Sequence, residues 1–170
     1  MRNFAICFVI LCPAVFAENT EDKTVAQYTM EVVDGFCLQN QDNFKNIGPL
    51  ALSVGGQSVD SAGDPVLREQ GGEAFLVPYF GRKYFVSYAN GGACSVAGQD
   101  LDLNNLKPKL KKSLELKEVH REESLTQISE WYSVQKQGTF NGSLILLTYA
   151  QNYKEVSISF MPASVVNELK

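Results

Sequence analysis

The stretch AFLVPYFGRKYFVSYA, residues 74–89, decides the fold. Ala74 to Tyr79 and Lys83 to Ala89 are rich in β-branched and aromatic side chains, and Gly81 with Arg82 falls where a tight turn is needed. Together they predict a hairpin. Along its second arm Tyr84, Val86 and Tyr88 share one face, while Phe85 and Ser87 occupy the other. One of these faces is a candidate for offering aromatics to a partner. Tyr84 and Tyr88, with Trp131 further along, are the residues singled out for that surface, against the alternative that they pack a core.

Working outward towards the C-terminus, Gly91-Gly92 breaks the pattern, and Ala93 to Ala97, carrying Cys94, predicts a third strand. Leu103, Leu106, Leu110 and Leu114 then recur at helical spacing, with Lys107, Lys109, Lys111 and Lys112 on the outer face; Pro108 suits a start near Asn104. Glu115 to Glu123 reads as a charged link. Beyond it Leu125 to Val134 and Ser143 to Ala150 flank Asn141-Gly142, the strongest short-range turn signal in the chain. Leu144 to Leu147 is apolar on both alternating faces, as in a central strand, and Val156, Ile158 and Phe160 alternate with serines in a last, half-exposed one.

Towards the N-terminus, Val25, Tyr28, Val32, Val33, Phe36 and Cys37 describe one apolar helix face. A second helix runs through Phe44, Ile47, Leu50, Ala51 and Val54, capped by Asp42 and ended by Gly55-Gly56. Asp64-Pro65 opens a third, short helix that Gly71-Gly72 stops. Tight connections between strands imply antiparallel pairing. The expectation is one α+β domain over residues 25–170, with a single antiparallel sheet of about five to six strands. The N-terminal helices and one crossing helix would pack on one of its faces, in a profilin-like or PAS-like arrangement.

The extreme N-terminus reads as a cleavable export signal. Arg2 supplies the positive charge, Phe4 to Phe16 carries none, and Val15 with Ala17 meets the small-residue rule for cleavage after Ala17. The apolar run is too short for a lasting bilayer span. Residues 18–24 form a polar lead-in. Removal of Met1 to Ala17 takes Arg2 from the basic set, moving the formal net charge from −4 to −5, which argues against nucleic acid as a partner. It also removes Cys7 and Cys12. Cys37 and Cys94 remain, and an even pair in an oxidising compartment is most simply a disulfide, stabilising by about 4 kcal/mol on the chain-entropy estimate.

The one catalytic constellation on offer would make Cys94 a thiolate nucleophile, with His120 as base and Gly91-Gly92 admitting substrate to the backbone. A disulfide at Cys94 would disarm it. His120 is the only histidine and no ligand spacing surrounds it, so neither a metal nor a cofactor is expected. The lysines from Lys107 to Lys112 are followed by Glu115, Glu118, Glu122 and Glu123, which makes a solvated helix face the simpler reading than an anionic docking site.

Phe36-Cys37-Leu38, a helix reaching Ala51 and Gly55, Phe75-Leu76-Val77-Pro78 and Gly92-Ala93-Cys94-Ser95-Val96 together resemble a family of small exported proteobacterial proteins of uncharacterised function. The resemblance covers Val25 to Asp102. It implies a periplasmic setting and the Cys37–Cys94 pairing, and carries over no catalytic or ligand-binding residue. The expected function is accordingly a non-enzymatic, protein-binding domain of the envelope, such as an inhibitor, an immunity-type protein or an accessory factor of a secretion machine. Two alternatives are a secreted effector or enzyme acting on an envelope polymer, and a small-ligand sensor that would show an apolar cavity against the sheet.

Overall fold

The hairpin at residues 74–89 forms as its alternation predicts, and a sheet is built around it. A computed structural model describes residues 23–60, 65–152 and 154–168. The expected export signal with Cys7 and Cys12, most of the expected polar lead-in and the expected cap Asp64 lie outside the described residues. Strand β2 (Gly72–Tyr79) pairs with β3 (Arg82–Ala89) through a turn at Phe80-Gly81, with Tyr79 opposite Arg82. Arg82 therefore belongs to the strand rather than the turn. Both turn residues have positive φ, 46° for Phe80 and 74° for Gly81, the twist that a two-residue hairpin loop requires.

The remaining strands are β1 (Gln57–Val59), β4 (Ala93–Gln99), β5 (Leu116–Glu123), β6 (Gln127–Val134), β7 (Leu144–Ala150) and β8 (Glu155–Met161). They form one eight-stranded antiparallel sheet in the order β1-β2-β3-β4-β8-β7-β6-β5. The expected five to six strands is thus corrected to eight. The two unexpected strands are the edges: β1 is three residues long, and β5 was expected to be a charged link. An edge strand needs a partner on one side only, and charges along it block pairing with another chain. Every residue from 117 to 123 is exposed, so the sequence of β5 carries no apolar alternation. A β-bulge between Glu118 and His120 interrupts it further.

Two four-stranded meanders, β1 to β4 and β5 to β8, meet where β4 pairs with β8. The strand order is symmetric about that seam, with Ser95 opposite Ser159. Helix α1 (Val25–Val32) stands before the first meander and α4 (Leu103–Leu114) before the second, and the two helices pack together over the sheet. The halves thus share one order of strands on either side of the seam, each preceded by a helix, with no repeat in the sequence. The profilin-like or PAS-like proposal gives way to this arrangement.

α1 opens with a capping box: the Gln27 N–H donates to Thr24 Oγ1 at 3.3 Å, and the Thr24 N–H donates to Gln27 Oε1 at 2.7 Å. It continues as a π-helical turn, Val33–Leu38, whose wider winding turns Phe36, Cys37 and Leu38 inward in succession. Cys37 forms a disulfide with Cys94 on β4, with Cα atoms 5.5 Å apart. The helical layer is therefore tied covalently to the centre of the sheet.

A 3-10 turn (Phe44–Asn46), capped by Asn43 rather than Asp42, leads into α2 (Ile47–Ser53), which lies on β2. The core between this layer and the sheet includes Phe75, Val77, Tyr84, Val86, Leu106, Leu110, Ile145 and Ile158. Helix α3 (Pro65–Gln70) is the exception to the expected one-sided packing. Its Leu67 clusters with Ala74 and Ala89, which alternate away from the main core, so α3 covers one corner of the opposite face. A short α5 (Ala163–Glu168) follows β8, and Val165 seals Gly92, where an added Cβ would lie 2.3 Å from its Cγ2.

Candidate functional site

The helix-covered face of the second meander contains a buried carboxylate. Ile128, Glu130, Tyr132 and Val134 alternate inward along β6, and Glu130 has no exposed surface. A buried charge persists only with partners. Lys107 Nζ of α4 donates to it at 2.7 Å, Arg121 of β5 at 2.6 Å, Tyr132 Oη at 2.7 Å and Tyr149 Oη at 3.1 Å. Burial alone would raise the Glu130 pKa, but the hydrogen bonds from Lys107 and Tyr132 outweigh it and hold the carboxyl below its ordinary 4.5. Burial, and then the neighbouring carboxylate, push the Tyr132 phenol up. Lys111 stands over the Tyr132 ring, 4.8 Å from its centroid. The cluster fastens α4 and the edge strand β5 to the middle of the second meander. Lys107 and Lys111 were expected on a solvated face; Glu130 was not singled out, and its signal was a carboxylate at an inward position of an alternating strand.

The opposite face of the sheet is open beyond the corner that α3 covers. Across five strands the register places Leu76, Phe85, Ala97, Ser157 and Thr148 side by side. The small side chains in the middle lie lower than the ring of Phe85, and a groove of about 1170 Å³ follows this row. Four strand spacings make it about 20 Å long. Gln99, Glu155, Ala150 and Gln127 form its next row, and Phe80, Arg82, Lys83 and Asp100 stand at the hairpin end. The adjacent inner row runs through Ser87, Ser95, Ser159, Leu146, Trp131 and His120, with the Ser95 and Ser159 hydroxyls 2.7 Å apart.

Phe80 is held rather than loose. It is 63% exposed at the groove mouth, yet its ring stacks on Tyr28 of α1 at 4.4 Å. The neighbouring Tyr79 hydroxyl donates to Glu31 Oε2 at 2.9 Å, and Lys23 Nζ donates to Glu31 Oε1 at 2.5 Å. The hydrogen bond from Lys23 outweighs burial and, with a weaker contribution from Tyr79, holds the Glu31 carboxyl below its ordinary value. α1 therefore clasps the hairpin tip. A phenylalanine at φ 46° is strained, and such strain persists where surrounding contacts over-determine it.

The sequence-predicted residues fall in different places. Tyr84 is fully buried and Tyr88 is 6% exposed, both on the helix-covered side, so they line the core and not a partner surface. Trp131 does lie on the open face, half-buried, with its ring 5.0 Å from His120. Cys94 is buried in its disulfide and presents no thiolate. His120 sits on the edge strand, four strands or about 19 Å from β4. Gly91 and Gly92 lie against Gln70 and Val165, which a Cβ at either position would meet, and Cys94 beside them is held in its disulfide. The catalytic constellation is therefore not assembled. Among the described residues no group of three His, Cys, Asp or Glu side chains could hold a metal ion, and no helix is long and apolar enough to cross a membrane. Comparison with protein-family models, curated proteins and solved structures finds no match.

Proposed function

We propose that this chain is a non-enzymatic recognition domain that works outside the cytoplasm and binds through its open sheet face. The observation that carries the reading is the groove over β2, β3, β4, β8 and β7: a preformed concavity of about 1170 Å³ whose lining mixes apolar floor with polar rim, as binding sites do. The export signal and the Cys37–Cys94 disulfide support the extracytoplasmic setting. The groove takes the place of the surface first sought at Tyr84 and Tyr88.

A photo-reactive residue placed at Ala97, in the middle of the floor, tests the reading in the cell that exports the protein. Covalent adducts are expected at position 97 and not at Asn104 on the helix-covered side, although Asn104 is the more exposed of the two. Equal labelling at both positions, or none at 97, overturns it.

A further inference from the structure

Four of the five strands beneath the groove are paired on both sides: β3 with β2 and β4, β4 with β3 and β8, β8 with β4 and β7, and β7 with β8 and β6; β2 has β1 on its outer side over Ala74–Leu76 only. The backbone N–H and C=O groups of those four are committed to the sheet. What the groove offers a ligand is side chains. The free edges where an extended peptide could add a strand are the three-residue β1, the three residues of β2 beyond it, which include Pro78, and the charged, bulged β5, each too short or too charged to make a long ladder.

The chemistry of those side chains narrows the occupant. Arg82 and Lys83 are offset by Asp100 and Glu155, so the lining carries no net formal charge to select an anion or a cation. Gln99, Gln127, Thr148 and Ser157 supply amides and hydroxyls that both donate and accept. The groove is open along its length, which does not suit an acyl chain that must be taken out of water. Phe80, stacked on Tyr28 but 63% exposed, and Phe85, partly buried against the α3 corner, line one end. A chain of sugar rings matches all four features: it has hydroxyls that donate and accept, no charge, C–H faces that lie on aromatic rings, and a length that fits an open channel.

We propose that the groove binds a neutral, hydroxyl-rich glycan chain, with Phe80 as the platform for one sugar ring and Gln99 as a hydroxyl partner. The assignment rests on reading the open face as the recognition surface. It also accounts for the strain at Phe80. A two-residue loop with φ positive at both positions favours Asn-Gly, and the chain has Phe-Gly, which places an aromatic ring at the mouth.

Isothermal titration with neutral hexasaccharides of glucose and N-acetylglucosamine, α- and β-linked, provides the test. At least one is expected to bind, with a Kd that moves less than about twofold between 50 and 500 mM NaCl, since no ion pair is involved. Phe80→Asn, which suits the turn but gives up the Tyr28 stack, is expected to weaken that binding at least about tenfold while the circular dichroism of the folded chain is kept; Gln99→Ala is expected to weaken it several-fold. Trp131→Ala, off the groove, should leave it intact. Binding by none of the sugars, or binding indifferent to Phe80→Asn, overturns the glycan assignment. Adducts at Ala97 that contain a polypeptide and no sugar would do so too while leaving the recognition surface standing; absence of both sugar binding and adducts removes the surface as well.

Discussion

Glu130 is the residue on which the second meander most depends. Its replacement by Gln keeps the shape and the tyrosine bonds but removes the charge that Lys107 and Arg121 answer. A loss of about 2 kcal/mol is expected at pH 7 by urea denaturation, below the full cost of a broken buried pair because both cations are partly exposed and can turn to solvent. Because the folded carboxyl titrates below its ordinary 4.5, its contribution is present above that value and lost as pH falls through the folded pKa. The gap between wild type and Glu130→Gln should therefore close below about pH 4.5. Ser143 gives the opposite case. Its hydroxyl is fully buried without a hydrogen-bond partner, so Ser143→Ala should be neutral or stabilising by up to about 1 kcal/mol in the same assay. Neither residue was legible in advance: Glu130 sits in a strand whose inward face shows only in the alternation with Ile128, Tyr132 and Val134, and Ser143 looks like an ordinary turn residue beside Asn141-Gly142.

At the scale of elements, the strands with a buried face were legible and those without one were not, and the six-residue α5, with Val166 as its one buried apolar residue, was too short to show a helical period. β2, β3, β4, β6, β7 and β8 alternate because one side of each meets the core. β5 meets it hardly at all, and β1 is too short to show a pattern. The two turns also differ in what their residues reveal. Gly142 has φ 81° and its N–H reaches Val134 O at 3.1 Å, yet it closes a longer connection over 135–143 and not a two-residue hairpin, while the tight turn is at Phe80-Gly81. The pairing of the π-helical turn with β4 through Cys37–Cys94 joins residues 57 apart. Changing both cysteines to serine should cost about 4 kcal/mol by the chain-entropy estimate, and dithiothreitol should bring the urea midpoint of the wild type down to that of the double variant, which it leaves unmoved.

For the whole molecule, the class α+β and the antiparallel pairing were within reach of the sequence, and the symmetric order of the sheet was not. Local alternation says which residues face a core but not which strand lies beside which, and the seam between β4 and β8 joins segments some sixty residues apart. The open face escaped for a related reason. Leu76, Phe85, Ala97, Ser157 and Thr148 come from four separate segments, and only the register across five strands brings them into one row.

That seam has a consequence for how the chain comes to be assembled. The strand made last occupies the middle of the sheet, so the first meander, once synthesised, waits with the unpaired edge of β4 facing water until β8 arrives. Such an edge is a template for the wrong neighbour, and closing a loop of this span is among the slower steps available to a small protein. A half-finished molecule is therefore more exposed to aggregation and proteolysis than the complete one, and the symmetry that makes the finished sheet continuous also makes its completion a late, all-or-nothing event.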